Sequence, residues 1–297
     1  MGKRRQSQIN EMIKLILSLS LSGSILILIL FLCKPLFQSK MSKAWQYYIW
    51  LAVIARLLLP FAPEHNLVGS LFRNYDYAAS QLERKMLPES GFASLQGTDL
   101  FPNTITDDSK AEDEDYSPVN VMKYGLLMLI RNLGLVWLVV ALILLIRKIT
   151  IYQSFIKYVK AGCTPVDDIN LLEQFGKEAE DAKINVPVEL YTNSLISSPL
   201  LLGFFHPCIV LPGTDCSDLD FQYTIRHELT HFKRKDMFYK WLMQTAVCLH
   251  WFNPLVYLMA RDVNRLCELS CDEAIIRHLN ENAMRDYGNT LLGAVRP

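Results

Sequence analysis

Three stretches of the chain carry almost no charge for roughly the length of a membrane crossing. Over residues 12–33 the only charge is Lys14, over 44–63 it is Arg56, and over 124–146 it is Arg131. About 20 apolar residues suffice to cross a ~30 Å hydrocarbon layer as a helix. The pattern predicts three spanning helices at 12–33, 44–63 and 124–146. The first run follows a basic start (Lys3, Arg4, Arg5) but ends in Cys33-Lys34-Pro35, with no small-residue cleavage site, so it is expected to stay as a span. Arg56 and Arg131 are costly in lipid and are expected to face protein, water or each other, unless Arg131 snorkels to an interface. After Lys148 the pattern becomes that of an α+β domain. A helix continues through 149–161 and breaks over 162–165. A second, capped by Asp167-Asp168, covers about 169–182. Strands are expected near 186–191 and 206–211, the latter closed by Pro212-Gly213. Asp218 then caps a helix running to about residue 235.

Composition and charge sharpen this picture. Of 297 residues 51% are hydrophobic, and the formal net charge is zero. Balanced charge argues against direct nucleic-acid binding, which needs a basic surface. Lys34, Lys40 and Lys43 crowd the link between the first two spans, and Arg147 and Lys148 follow the third. Residues 64–120 instead hold eleven acidic and four basic side chains. The positive-inside rule therefore places 34–43 and everything after 147 in the cytoplasm, and 64–120 outside. The basic N-terminus then lies outside, against the same rule, and is outweighed by the two later loops. All seven cysteines avoid the outer loop and five follow residue 200, as expected for reduced thiols in the cytoplasm.

Candidate chemistry sits on the helix expected from 218 to 235. It reads His227-Glu228-Leu229-Thr230-His231. Histidines at i and i+4 project from one helix face, so their rings can converge on a single ion. Glu228, about 100° around the helix, is placed to act as a general base on the water that such an ion activates. A catalytic zinc site needs a third protein ligand and one open position. Downstream, Glu268 and Asp272 share a helix face. Glu268 can complete the ligand set while Asp272 accepts the far N–H of a ligand histidine. Cys267 and Cys271 point elsewhere on this reading and serve helix packing. A single crossing by the apolar stretch after residue 236 would leave Glu268 on the far side from His227. Asn253-Pro254 is therefore expected to turn the chain into a helical hairpin at about 237–266 that dips into the membrane or packs on the spans. About 20 residues lead out and about 15 lead back, which brings both helices to one level at ~1.5 Å per residue.

These residues also carry a family resemblance. The stretch from His227-Glu228-Leu229-Thr230-His231-Phe232-Lys233-Arg234-Lys235-Asp236, through Trp251-Phe252-Asn253-Pro254, to Cys267-Glu268-Leu269-Ser270-Cys271-Asp272-Glu273 resembles the BlaR/MecR-type membrane metallopeptidases. Ser198-Pro199-Leu200, Gly203, Pro207 and Ile209-Val210-Leu211-Pro212 are similar to that family's pre-catalytic strand. The resemblance covers nearly the whole chain. It implies an α-helical membrane protein with a cytoplasmic α+β zincin domain of the gluzincin type over 149–297, after a membrane region over 1–148. It implies Zn2+ held by His227, His231 and Glu268, with Glu228 as catalytic base. The expected role is a zinc metalloendopeptidase of transmembrane signalling in the cell membrane, cleaving itself or a cytoplasmic regulator such as a transcriptional repressor. The strand at 206–211, with Ile209, Val210 and Leu211, is expected to be an exposed edge that pairs with peptide substrate. The bland alternative is an internal strand whose side chains fill the core.

The chain departs from that pattern at its end. It stops at Pro297, and no Ser-x-x-Lys followed by Lys-Thr-Gly, the acylation signature of penicillin-recognising folds, lies in an extracellular domain. The expectation is a truncated chain, or a sensor in the 64–120 loop or in a separate partner protein; a homodimer is a further partner expectation. A CAAX-prenyl-protease-type enzyme also combines HExxH with a distal Glu-x-x-x-Asp, and a non-catalytic membrane transducer is the alternative from another class. The Trp-Phe-Asn-Pro element and the cysteine-flanked glutamate favour the first family over the former. The complete set of motif residues argues against the latter.

Overall fold

The computed structural model describes residues 2–38, 40–59, 133–204, 206–214 and 217–295. The expected 64–120 loop, Arg131, and parts of the expected spans at 44–63 and 124–146 lie outside the described residues. Helices dominate: α1 (Gly2–Gln38), α2 (Lys43–Leu58), α3 (Leu133–Ala161), α4 (Ile169–Asp181), α5 (Asp218–Lys233), α6 (Asp236–Leu249), α7 (Pro254–Ile276) and α8 (Glu281–Val295). Strands β1 (Thr164–Pro165), β2 (Glu189–Thr192), β3 (Leu200–Leu202) and β4 (Cys208–Leu211) form one mixed sheet in the order β1-β2-β4-β3. Among the described residues, two helical segments are long and apolar enough to cross a membrane. They are Lys14–Phe37, with mean hydropathy 2.6, and Leu133–Ala161, with 2.3. By compactness the chain forms two units, Met1–Ser22 with Pro60–Trp137, and Gly23–Leu59 with Leu138–Pro297. The second carries the chemistry.

Local signals account for several helix starts. Asp168 caps α4 by accepting from the Asn170 and Leu171 amides, and Asn253 caps α7 by accepting from Leu255, with Pro254 in the first turn. The cap of α5 is Ser217 rather than the expected Asp218: its hydroxyl accepts from the Asp220 amide, leaving Asp218 and Asp220 to favour the positive helix end. Helix α5 also stops two residues early. Lys235 adopts a left-handed conformation (φ 57°, ψ 37°) that separates it from α6. For a residue with a side chain this costs on the order of 1–2 kcal/mol.

The sheet is covered on both faces. Leu190, Ile209 and Leu211 pack with Leu171 and Phe175 of α4 and Phe221, Ile225 and Leu229 of α5. Leu202, Cys208 and Val210 point the other way, onto Val159 of α3. This is the period-two alternation of a strand, with apolar partners on each side. The expectation that Ile209, Val210 and Leu211 form an exposed edge is therefore corrected. β4 pairs with β2 in parallel and with β3 antiparallel, and all four of its residues are buried. The edge strands are β1 and β3, and the β3 edge, next to β4, turns into β4 through Gly203.

A second core joins α1 (from Gly23 onward) and α2 to the α6–α7 hairpin: Ile27, Trp50, Val53, Ile54 and Leu57 pack with Met243, Ala246, Val256, Met259 and Val263. Two polar ties reinforce it. Asp262 of α7 pairs with Lys34 and accepts from Trp50 Nε1 at 3.2 Å. Glu273 accepts from the Lys43 amide at 2.6 Å and the Ala44 amide at 3.4 Å, which satisfies orphan donors at the start of α2.

Candidate metal centre

Helix α5 delivers His227 and His231 to the same face, and α7 brings Glu268 against them. His227 Nε2 and His231 Nε2 lie 3.1 Å apart, and Glu268 Oε2 is 3.5 Å from the first and 3.2 Å from the second. Tetrahedral zinc with bonds of ~2.0–2.1 Å separates its ligand atoms by about 3.3 Å, so the three donors have the spacing that such an ion requires. The far nitrogens are engaged as well. His231 Nδ1 meets Asp236 Oδ2 at 2.8 Å. His227 Nδ1 lies 3.1 Å from the Tyr287 hydroxyl and 3.3 Å from Asp272 Oδ1, and Tyr287 itself donates to Asp272 Oδ1 at 2.8 Å. Holding each Nδ1–H in this way leaves the Nε2 lone pair free for a metal.

The electrostatics follow from burial and these contacts. Burial opposes a charged imidazole at His227, but hydrogen bonds to Asp272 and Glu268 outweigh it and raise its pKa to about 9. His231 is also raised, with burial overridden first by Asp236 and then by the nearby cysteines and Glu268. At 3.1 Å the two Nε2 atoms can share one proton but not carry one each. Burial alone would raise the Glu268 carboxyl, yet the two imidazoles and the Lys240 charge hold it well below the usual range. Glu228 is raised by burial, offset in part by the histidines. A base raised in this way is better matched to taking and returning a proton near neutrality.

The histidines, Glu228 and Glu268 open onto a cleft of about 570 Å³. Its walls include Ile151, Tyr152 and Phe155 of α3, the edge strand β3 and Trp241 of α6. The structure thus places His227, His231, Glu228 and Glu268 around one point, with Asp272 behind His227, while Ile209, Val210 and Leu211 lie in the sheet interior. Cys267 and Cys271 are fully buried, but they do more than pack helices. Their sulfurs approach His231 Nδ1 at 3.8 and 3.3 Å, and Arg234 donates to Cys271 at 3.2 Å. Sequence reasoning gave no role to Asp236 or Tyr287. Asp236 reaches back to His231 only because the left-handed Lys235 restarts the chain, and Tyr287 arrives from α8, 60 residues beyond His227. The one sequence signal was the acidic residue directly after the HExxH helix.

Comparison with known proteins places the chain in a family. The family described as BlaR1 peptidase M56 matches residues 14–295. The regulatory protein BlaR1 of Bacillus licheniformis is 28% identical over 280 residues, covering 92% of this chain and 44% of that protein. The methicillin resistance mecR1 protein of Staphylococcus aureus strain Mu50 is 24% identical over 286 residues, covering 95% and 46%. The chain spans less than half the length of these relatives. With its fold, its cleft and this match taken together, the chain belongs to the BlaR1 peptidase M56 family of membrane metallopeptidases.

Proposed function

We propose that the protein is an integral-membrane zinc metalloendopeptidase of antibiotic-linked signalling that cleaves itself or a cytoplasmic regulator such as a transcriptional repressor. The observation that carries the reading is the triangle of His227 Nε2, His231 Nε2 and Glu268 Oε2, with Asp236 and the Tyr287–Asp272 pair fixing the far nitrogens. When bound, Zn2+ supplies Lewis acidity that activates a water and polarises the scissile carbonyl. Glu228, on the cleft wall beside the histidines, takes the proton of the attacking water and returns it to the leaving amine. The substrate backbone lies extended along the β3 edge, where main-chain hydrogen bonds hold peptides whatever their side chains.

In the proposed topology, helices at 12–33, 44–63 and 124–146 cross the cell membrane, the α6–α7 hairpin sits at the inner leaflet, and the cleft faces the cytoplasm. The support is the distribution of Lys and Arg around the apolar runs. Cysteines introduced at positions 95 and 110 should react with an impermeant thiol reagent from outside, and one at 170 should not; the opposite pattern would move the site outside. Function is tested with the purified chain and a library of internally quenched peptides. Turnover should vanish with a zinc chelator and return on adding zinc. A zinc-replete protein that cleaves nothing, its own chain included, would favour the non-catalytic transducer.

A further inference from the structure

Helix α6 presents a single stripe to the cleft: Asp236, Met237, Lys240, Trp241 and Gln244, which share one helix face. Its opposite side, including Met243, Ala246 and Val247, is buried against α2 and α7, so the stripe cannot rotate away. Lys240 is the cation of that stripe, and its ammonium donates to Glu268 Oε1 at 3.2 Å. The other oxygen of the same carboxylate, Oε2, is the one that faces both histidines, at 3.5 and 3.2 Å. The two oxygens thus have different partners: one is aimed at the metal position and one is held by a cation.

We propose that Lys240 is a positioning residue for the metal, acting through Glu268: by occupying Oε1 it limits the carboxylate to one-oxygen ligation through Oε2 and keeps the fourth position open for water and substrate. This rests on the zinc reading above. Carboxylates bind metals through one oxygen or two, and a second oxygen would fill the position that hydrolysis needs. The pair is not a folding device. Both side chains are about half exposed, 40% for Lys240 and 51% for Glu268, where an ion pair adds little to stability. It therefore matters through the geometry it imposes on the ligand.

The test compares wild type with Lys240→Met and Lys240→Arg, each loaded with cobalt(II) for its spectrum and with zinc for its kinetics. Wild type and the arginine variant should show the intense visible bands of four-coordinate cobalt. The methionine variant should lose that intensity as Glu268 contributes its second oxygen. Its kcat should fall by about 10–100-fold with KM little changed, and arginine should restore most of it. Metal-free circular dichroism and melting should match across all three, and Lys240→Gln serves as a second variant if methionine fails to fold. A methionine or glutamine variant with the wild-type cobalt spectrum would overturn the proposal, even if its activity fell, because Lys240 would then act on substrate and not on the ligand. Wild type that takes up neither metal would instead overturn the zinc reading itself.

Discussion

Asp236→Asn probes a deeply buried support of the centre. Asp236 is 1% exposed and holds His231 Nδ1 at 2.8 Å, while Arg234 Nε approaches its other oxygen at 3.6 Å. Asparagine keeps the shape and an acceptor oxygen but removes the charge. Losing such a partner behind a ligand histidine typically weakens metal binding by about 10–100-fold, or ~1.4–2.7 kcal/mol. Zinc at a thousandfold excess over Kd stabilises the native state by about 4.1 kcal/mol. At tenfold excess, after a hundredfold loss of affinity, it gives only about 1.4 kcal/mol. The zinc-dependent rise in melting temperature should therefore shrink by roughly 5–10 °C, at about 2–4 °C per kcal/mol for a domain of this size. Chelator competition measures the affinity directly, and scanning with and without zinc measures the increment. An asparagine variant that binds zinc within about threefold of wild type would show that the contact does not support the metal, and the reasoning would fail.

Acidity gives a further check. Because His227 is raised to about 9, zinc must displace its proton at neutral pH. Affinity should fall roughly tenfold per pH unit from 9 towards 6.5, and calorimetry in buffers of different ionisation heat should detect the proton; pH-independent affinity would contradict this. Metal-free stability should run the other way. A raised histidine stabilises the fold fully below its unfolded value of about 6.5, and that contribution is lost as pH rises through 9. Gly203→Ala should destabilise by about 1–3 kcal/mol, read by chemical denaturation, since φ is +88° and a Cβ would lie 2.2 Å from the His206 carbonyl oxygen; wild-type stability would mean that the turn relaxes freely. A photo-crosslinker at Leu200, on the β3 edge, should capture a bound peptide, and one at the buried Val210 should not; the reverse would return substrate docking to β4.

Much of the site could be read from spacing alone. The i, i+4 pairs His227/His231 and Glu268/Asp272 need only an α-helix to share a face, and Asn253-Pro254 marks a cap and first turn on local chemistry. The interior position of β4 was harder. Family resemblance suggested an edge, yet the unbroken apolar run from Cys208 to Leu211 is what a strand buried on both faces presents. The short β1 and β3 carry too few residues for a periodic signal. Asp236, five residues after His231, falls off the histidine face of a regular helix, and it reaches Nδ1 only through the left-handed Lys235 that no propensity announces. Tyr287 and Lys240 gain their roles from tertiary packing, through α8 in one case and the α6–α7 reversal in the other.

The central claim is that Glu228 performs the proton transfers on a metal that it does not hold. The direct measurement pairs zinc content with peptide cleavage in wild type and Glu228→Gln, purified identically. Glutamine is isosteric and leaves His227, His231 and Glu268 in place. The variant should therefore retain wild-type zinc while turnover falls by about 10²–10⁴-fold. Cleavage at close to the wild-type rate, or loss of the zinc along with the carboxylate, would contradict the account.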